Sequence, residues 1–144
     1  MGDLFTLPVL LGILYSGIRL ATPYLYAAIG ETFVQNSGIF NLGVEGIMLM
    51  GALMGFVGAY ASGNLWAGVL LAMVSGAVMG LLMGFMSVTA KVNQVVAGLG
   101  ITILGSGLST LLFRLFFGLR STPPTIDMFP ETPVPGLSRI PVLG

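Results

Sequence analysis

The sequence has 144 residues, five basic and five acidic, so its formal net charge is zero and charged side chains make up only 7% of it, against roughly 25% in an ordinary soluble domain. So few charges cannot coat a globule in water, and the mean hydropathy of +1.02 requires a surface as apolar as the interior, which makes lipid the solvent. There is no cysteine and no histidine, which excludes disulfides, thiol nucleophiles, imidazole bases and the usual zinc or haem ligands; the lack of a basic excess argues against nucleic acid as a partner.

The expected fold class is therefore all-α, a polytopic transmembrane helix bundle with three to five membrane helices, and neither a cofactor nor a metal is expected. Glycine is abundant, 22 residues, about double the usual share of roughly 7%. Glycines inside apolar runs let helix backbones approach where no hydrophobic force drives association.

The first thirty residues are ambiguous. Met1-Gly-Asp-Leu-Phe5 lacks the basic start of a secretory signal, so the first segment is read as retained. Leu4–Ile18 is apolar but short, Arg19 interrupts it, and Leu20–Gly30 continues it with Pro23 inside. One reading is a single kinked span. The other, preferred because Arg19 near a helix end can snorkel to the headgroups, is a short interfacial or partly inserted helix followed by a separate span to about Val34.

Three runs then meet the roughly 20 apolar residues that a span requires: Gly38–Ala61, Trp66–Val88 and Val92–Phe117. Ser62-Gly-Asn64 and Thr89-Ala-Lys91 separate them, and the only tryptophan, Trp66, opens a span, where an interfacial aromatic belongs. Residues 1–118 thus form the transmembrane helical region. From Leu119 the texture changes: six of the eight prolines lie in Leu119–Gly144 (Pro123, Pro124, Pro130, Pro133, Pro135 and Pro141), beside Arg120, Asp127, Glu131 and Arg139. Proline removes helix donors and favours extended chain, so residues 119–144 are expected as an aqueous loop. Ile140-Pro-Val-Leu-Gly144 reads as the approach to another apolar element, and the chain as the N-terminal part of a longer protein.

Glu31–Ala52 is the most informative stretch. It sets Glu31, Gln35, Asn36, Ser37, Asn41 and Glu45 beside glycines 38, 43 and 46 and then runs into apolar sequence. Polar groups at membrane depth must face protein or a water-filled cavity. One reading is a broken or re-entrant element lining a translocation path; the other is a turn outside the membrane whose Glu45 favours the start of a helix. An intramembrane enzyme using Glu31 or Glu45 as acid or base is the least favoured reading, since no nucleophile, metal set or histidine accompanies them. Gly76, Gly80 and Gly84, and Gly51 with Gly55, repeat at four-residue spacing, the small-xxx-small pattern of close helix packing. In the last span Gly98, Thr102, Gly105, Ser106 and Ser109 share a face, preceded by Asn93 and Gln94. Packing is the plain reading of that stripe, and a path for a neutral solute the functional one. The nine methionines are read as gap-fillers.

Ser37-Gly-Ile-Phe-Asn-Leu-Gly-Val-Glu-Gly-Ile-Met-Leu-Met-Gly-Ala52 resembles the permease subunits of bacterial ABC importers in the nucleoside, simple-sugar and branched-chain amino-acid group. Asn41-Leu-Gly-Val-Glu45-Gly looks most like the nucleoside type. Ala21-Thr-Pro23, Ala27-Ala-Ile-Gly-Glu31, Val92-Asn-Gln-Val-Val-Ala-Gly-Leu99 and Pro133–Gly144 fit the same group, so the resemblance covers nearly all of the chain from about Arg19. Two departures bear on the solute: a glutamate commonly follows the asparagine where this chain has Gln94, and Gln35-Asn36 replaces a more charged pair.

The resemblance implies a membrane-spanning subunit of a binding-protein-dependent importer for nucleosides or a similar small polar solute, without a catalytic site of its own. Its implied partners are ABC ATPase subunits, a second permease subunit and an extracytoplasmic solute-binding protein. Its implied place is the bacterial plasma (inner) membrane, multi-pass. Members of the group are about twice this length. The substrate pathway is assigned to Asn41, Glu45, Asn93, Thr102 and Ser106, and helix packing to Gly51, Gly55, Gly76, Gly80 and Gly84. The likeness puts residues 119–144 outside and Lys91 inside, against the mild bias of Arg114, Arg120 and Arg139. The competing reading is a structural or assembly subunit whose glycines only pack helices.

Overall fold

In lipid a backbone must hydrogen-bond to itself or to neighbouring protein, and the described residues answer with helices. The computed structural model of the chain describes residues 6–118 and 124–130. Helix α1 is Leu7–Asn36, α2 is Val44–Ser62, α3 is Leu65–Gly84 with a π-helical turn Phe85–Thr89 continuing it, and α4 is Gln94–Phe117. All four are long and apolar enough to cross a membrane, and no strand occurs among the described residues. The protein is a multi-pass, all-α membrane protein.

The described residues fall into two compact units. One holds residues 6–29, the greater part of α1, with Pro130; the other is Gly30–Phe129. α1 is a single helix with Pro23 inside it, so the preferred reading of two separate segments is corrected. Arg19 does not need a helix end. It lies within one continuous helix, from which a long basic side chain can reach toward the headgroups. Pro23 removes the amide that would bond the carbonyl of Arg19. One residue earlier the Thr22 hydroxyl donates to the carbonyl of Ile18 at 3.0 Å, a local polar contact of the kind that helps membrane helices carry proline.

Within Gly30–Phe129 the three later helices form the bundle. α2 and α3 are joined by a tight turn: Gly63, at φ 63°, closes α2 by donating to the Ala59 carbonyl, and Asn64 caps α3 by accepting from the Trp66 amide at 2.9 Å. Asn93 caps α4 by accepting from the amides of Val95 and Val96 at 3.0 and 3.4 Å. Between the caps, Met50, Met79, Met83, Ala97 and Ile101 make the buried cluster. At the opposite end Phe117 is buried among Phe56, Tyr60 and Phe113, with ring centroids 5.0–5.4 Å apart. Residues 124–130 carry no helix or strand, and Phe129 sets its ring edge-on to Trp66 at 5.5 Å. The remainder of the proline-rich segment lies outside the described residues.

Glycine sets the spacing of the helices, though mostly at other positions than the repeats suggest. A Cβ on Gly55 would meet that of Ala72 at 3.3 Å, while Gly51 and Gly76 stand 3.8 and 3.9 Å from their nearest neighbours and Gly80 and Gly84 meet nothing within 4 Å. The closest approaches are Gly68 against the Gly55 carbonyl, where a Cβ would stand at 2.6 Å, and Gly58 against Leu71, both between α2 and α3, and Gly46 with Gly105 between α2 and α4. A Cβ on Gly105 would stand 2.6 Å from the Gly46 Cα, and one on Gly46 2.7 Å from the Thr102 Cα. Those neighbours are backbone and cannot rotate away.

Gly105→Ala is therefore expected to force α2 from α4 and to destabilise the purified protein in detergent by about 1–3 kcal/mol, seen as a lower melting temperature. Gly100→Ala on the same helix meets nothing within 4 Å and should stay within about 0.5 kcal/mol of the parent. Equal melting temperatures for the two variants would contradict the packing described.

Candidate functional site

The chain leaves α1 through a glycine-closed helix end. Gly38 takes φ 82°, its amide donates to the Gln35 carbonyl at 2.9 Å and the Ile39 amide donates to that of Val34 at 3.4 Å. This is the bond pattern of a Schellman cap, which needs a left-handed residue that glycine supplies without a Cβ clash. The Ser37 hydroxyl adds a bond to Val34 at 2.6 Å.

From Gly38 to Gly43 the backbone is not helical, and it runs alongside the first turns of α4. Leu42 lies against Gly98, and Gly43 lies against Ile101 so tightly that a Cβ there would stand 2.7 Å from the Ile101 side chain. Ile101 is seven residues into α4, about 10 Å from its start. Helix α2 thus begins about two turns deeper than α4, and the intervening chain must be bonded by something other than itself.

Side chains of both flanking helices do this. The Phe40 amide donates to Gln94 Oε1 at 2.8 Å, and Gln94 Nε2 donates to the Gly38 carbonyl at 3.4 Å. The Asn41 amide donates to Glu31 Oε1 at 3.1 Å, and the Thr102 hydroxyl donates to the Leu42 carbonyl at 3.1 Å. Asn41 closes the segment on itself, its Oδ1 accepting from the Gly43 amide at 3.0 Å. Glu31 also accepts from Gln35 Nε2 at 3.2 Å, and its Oε2 is the buried side-chain atom without a hydrogen-bond partner among the described residues.

The five pathway residues assigned from sequence are therefore not one cluster. Asn41 and Thr102 belong to the recessed segment and hold its backbone. Asn93 caps α4, and Ser106 donates to the Ile103 carbonyl at 3.0 Å on its own helix. Glu45 is exposed in the first turn of α2, without a side-chain partner among the described residues. Glu31 and Gln94, which fix the segment, were not among the five. Their signal was present in the sequence: a carboxylate and an amide at the ends of two apolar runs that flank a glycine-rich stretch.

No cluster of three or more metal-ligating side chains occurs among the described residues. Gln94, Asn41, Thr102 and Glu31 Oε1 are engaged with the segment's backbone, while Glu31 Oε2 is not.

Comparison with known proteins places residues 13–140 within the family described as branched-chain amino acid transport system / permease component. The chain is 36% identical over 137 residues to a putative glucose ABC transporter permease protein of Haloferax volcanii, covering 92% of this chain and 40% of that protein. It is 32% identical to a guanosine ABC transporter permease protein of Bacillus subtilis and 30% identical to a nucleoside ABC transporter permease protein of Lactococcus lactis, covering in each case 86% of this chain and 41% of the relative. The chain thus spans about two fifths of the length of these curated relatives. No solved structure matches it significantly.

If Gln94 holds the recessed segment, Gln94→Leu leaves the Phe40 amide without its acceptor, at a cost of about 0.5–1.5 kcal/mol. Hydrogen exchange at Phe40 should accelerate accordingly, whereas Gln94→Glu, which retains an acceptor, should leave Phe40 protected. Unchanged exchange in Gln94→Leu would show that the segment is held by something else.

Proposed function

The chain belongs to the family of permease components of branched-chain amino acid transport systems, and from that membership we propose that it is the N-terminal part of the membrane-spanning subunit of a binding-protein-dependent ABC importer. The solute is a nucleoside or a similar small, neutral, polar molecule. The names of the relatives support that class, since two are permeases for guanosine or nucleosides and one is a putative glucose permease. The subunit passes the solute without a covalent step. Separate ATPase subunits supply the energy, a second permease subunit completes the path, and an extracytoplasmic binding protein delivers the solute. The setting is the plasma membrane of a bacterium.

The recessed segment Gly38–Gly43 carries the reading on the structural side. Irregular backbone inside an apolar bundle is tolerated where it is buried in protein or lines a cavity, and transporters use interrupted helices for binding and gating. A subunit that served only to pack helices would gain nothing from starting α2 two turns deep and satisfying the gap with Glu31, Gln94 and Thr102. Glu45 follows that gap directly. An exposed carboxylate in an apolar span is costly unless protein or water faces it.

The test is uptake of labelled guanosine and glucose by cells that lack their own systems and carry the complete protein with its ATPase and binding protein. Uptake should require ATP, and Glu45→Gln should lower it about tenfold, equivalent to roughly 1.4 kcal/mol, with the subunit still present in the membrane. Uptake of a different solute would keep the importer and replace the substrate; uptake of nothing would return the chain to the helix-packing reading.

A further inference from the structure

Outside the recessed segment, the feature that packing does not explain is a groove between α2 and α4. Its α2 wall is Leu49, Ala52, Leu53 and Phe56, and its α4 wall is Ser109, Thr110, Phe113 and Arg114, with a volume of about 390 Å³. That lies within the range of about 300–1,000 Å³ typical of small-molecule sites. Ser106, Thr110 and Arg114 also line a second hollow that extends it along α4.

The two walls differ chemically. On α2, Glu45 falls on the same helical stripe as Leu49, Ala52 and Phe56, one turn before the groove, and does not line it. On α4 each hydroxyl points its hydrogen into its own helix: Ser106 donates to Ile103, and Ser109 and Thr110 donate to the Ser106 carbonyl at 3.0 and 2.9 Å. Their outward lone pairs are left as acceptors. Arg114 closes one end as a donor only. Glu45 is level with Thr102, because Gly46 packs there, and from Thr102 to Arg114 is twelve residues, about 18 Å. Both charged groups are exposed and have no side-chain partner among the described residues.

We infer that this groove is one wall of the solute path, with Thr110 and Arg114 contacting a neutral, polyhydroxylated solute whose flat apolar face lies on Leu49 and Phe56. The inference rests on the importer reading. A neutral solute rich in hydroxyls can donate to the serine and threonine oxygens and accept from the guanidinium. A solute without hydroxyls would leave Ser109 and Thr110 on the α4 wall unmatched. Two sources share the chemistry, the ribose of a nucleoside and a free hexose.

Single-cysteine variants of the complete transporter test it. Thr110→Cys, with Ala52→Cys on the facing wall should the first fail to reach the membrane, is treated with a charged, membrane-impermeant thiosulfonate. Leu81→Cys on the apolar outer face of α3, where the parent side chain is 73% exposed, serves as comparator. The groove cysteine should react faster than Leu81→Cys, and the imported solute, at about ten times its half-saturating concentration, should slow that reaction about tenfold. Protection by guanosine alone assigns the groove to nucleosides, and protection by glucose alone to hexoses. Groove labelling no faster than at Leu81→Cys, or labelling that neither solute slows, overturns the inference. Uptake measured on the parent transporter in the same cells separates the two failures: uptake with an unprotected groove leaves the importer standing, and no uptake of either solute removes the importer as well.

Discussion

The rest of the structure depends on one constraint: inside an apolar bundle every backbone amide and carbonyl needs a partner. Four helices meet it for most of the chain. Gly38–Gly43 cannot meet it alone, and the polar side chains nearby are arranged around that deficit. Glu31 and Gln94 reach it from opposite sides and Thr102 from deeper in α4. These three residues look like isolated polar intrusions in hydrophobic runs, yet they serve a single six-residue stretch of backbone.

Close glycine packing is the other half of the same arrangement. Thr102 reaches the Leu42 carbonyl only because Gly98 and Gly105 let the chain lie directly on α4, and Gly43 and Gly46 answer from the other side. Without a Cβ at Gly46 and Gly105 the separation is set by backbone contact, which leaves no slack for a rotamer to absorb. Hydrogen bonding and packing at this crossing are therefore coupled: a change that separates the helices also breaks bonds to the recessed segment. That couples the start of α2 to α4.

Much of this was legible in the sequence because membrane helices are written in composition. The three long apolar runs became α2, α3 and α4, with Trp66 and Asn64 at the turn between the first two. The start of α2 was displaced from Gly38 to Val44, since hydropathy does not distinguish apolar helix from apolar extended chain, and Ile39, Phe40 and Leu42 score alike in either. The glycine repeats were visible, but which glycines meet another helix depends on rotation and depth, which one chain does not encode locally; Gly80 and Gly84 face open space while Gly58 and Gly68 touch. α1 was misread because Arg19 was weighed as a break, although a long basic side chain can sit inside a continuous helix. Glu31 and Gln94 were seen as polar punctuation, and their joint role needs a fold that brings residues 54 positions apart together.

Gln94 shows why the physical reading adds to the family resemblance. Where related permeases commonly carry a glutamate, this chain has an amide, and as a departure that invites a substrate explanation. The geometry offers a nearer one. Gln94 accepts from the Phe40 amide and donates to the Gly38 carbonyl with the same side chain, which a carboxylate cannot do, being an acceptor at both oxygens. In this chain the amide satisfies two backbone groups of the recessed segment and brings no charge into the bundle. The substitution is thereby accounted for by how α2 is held beside α4.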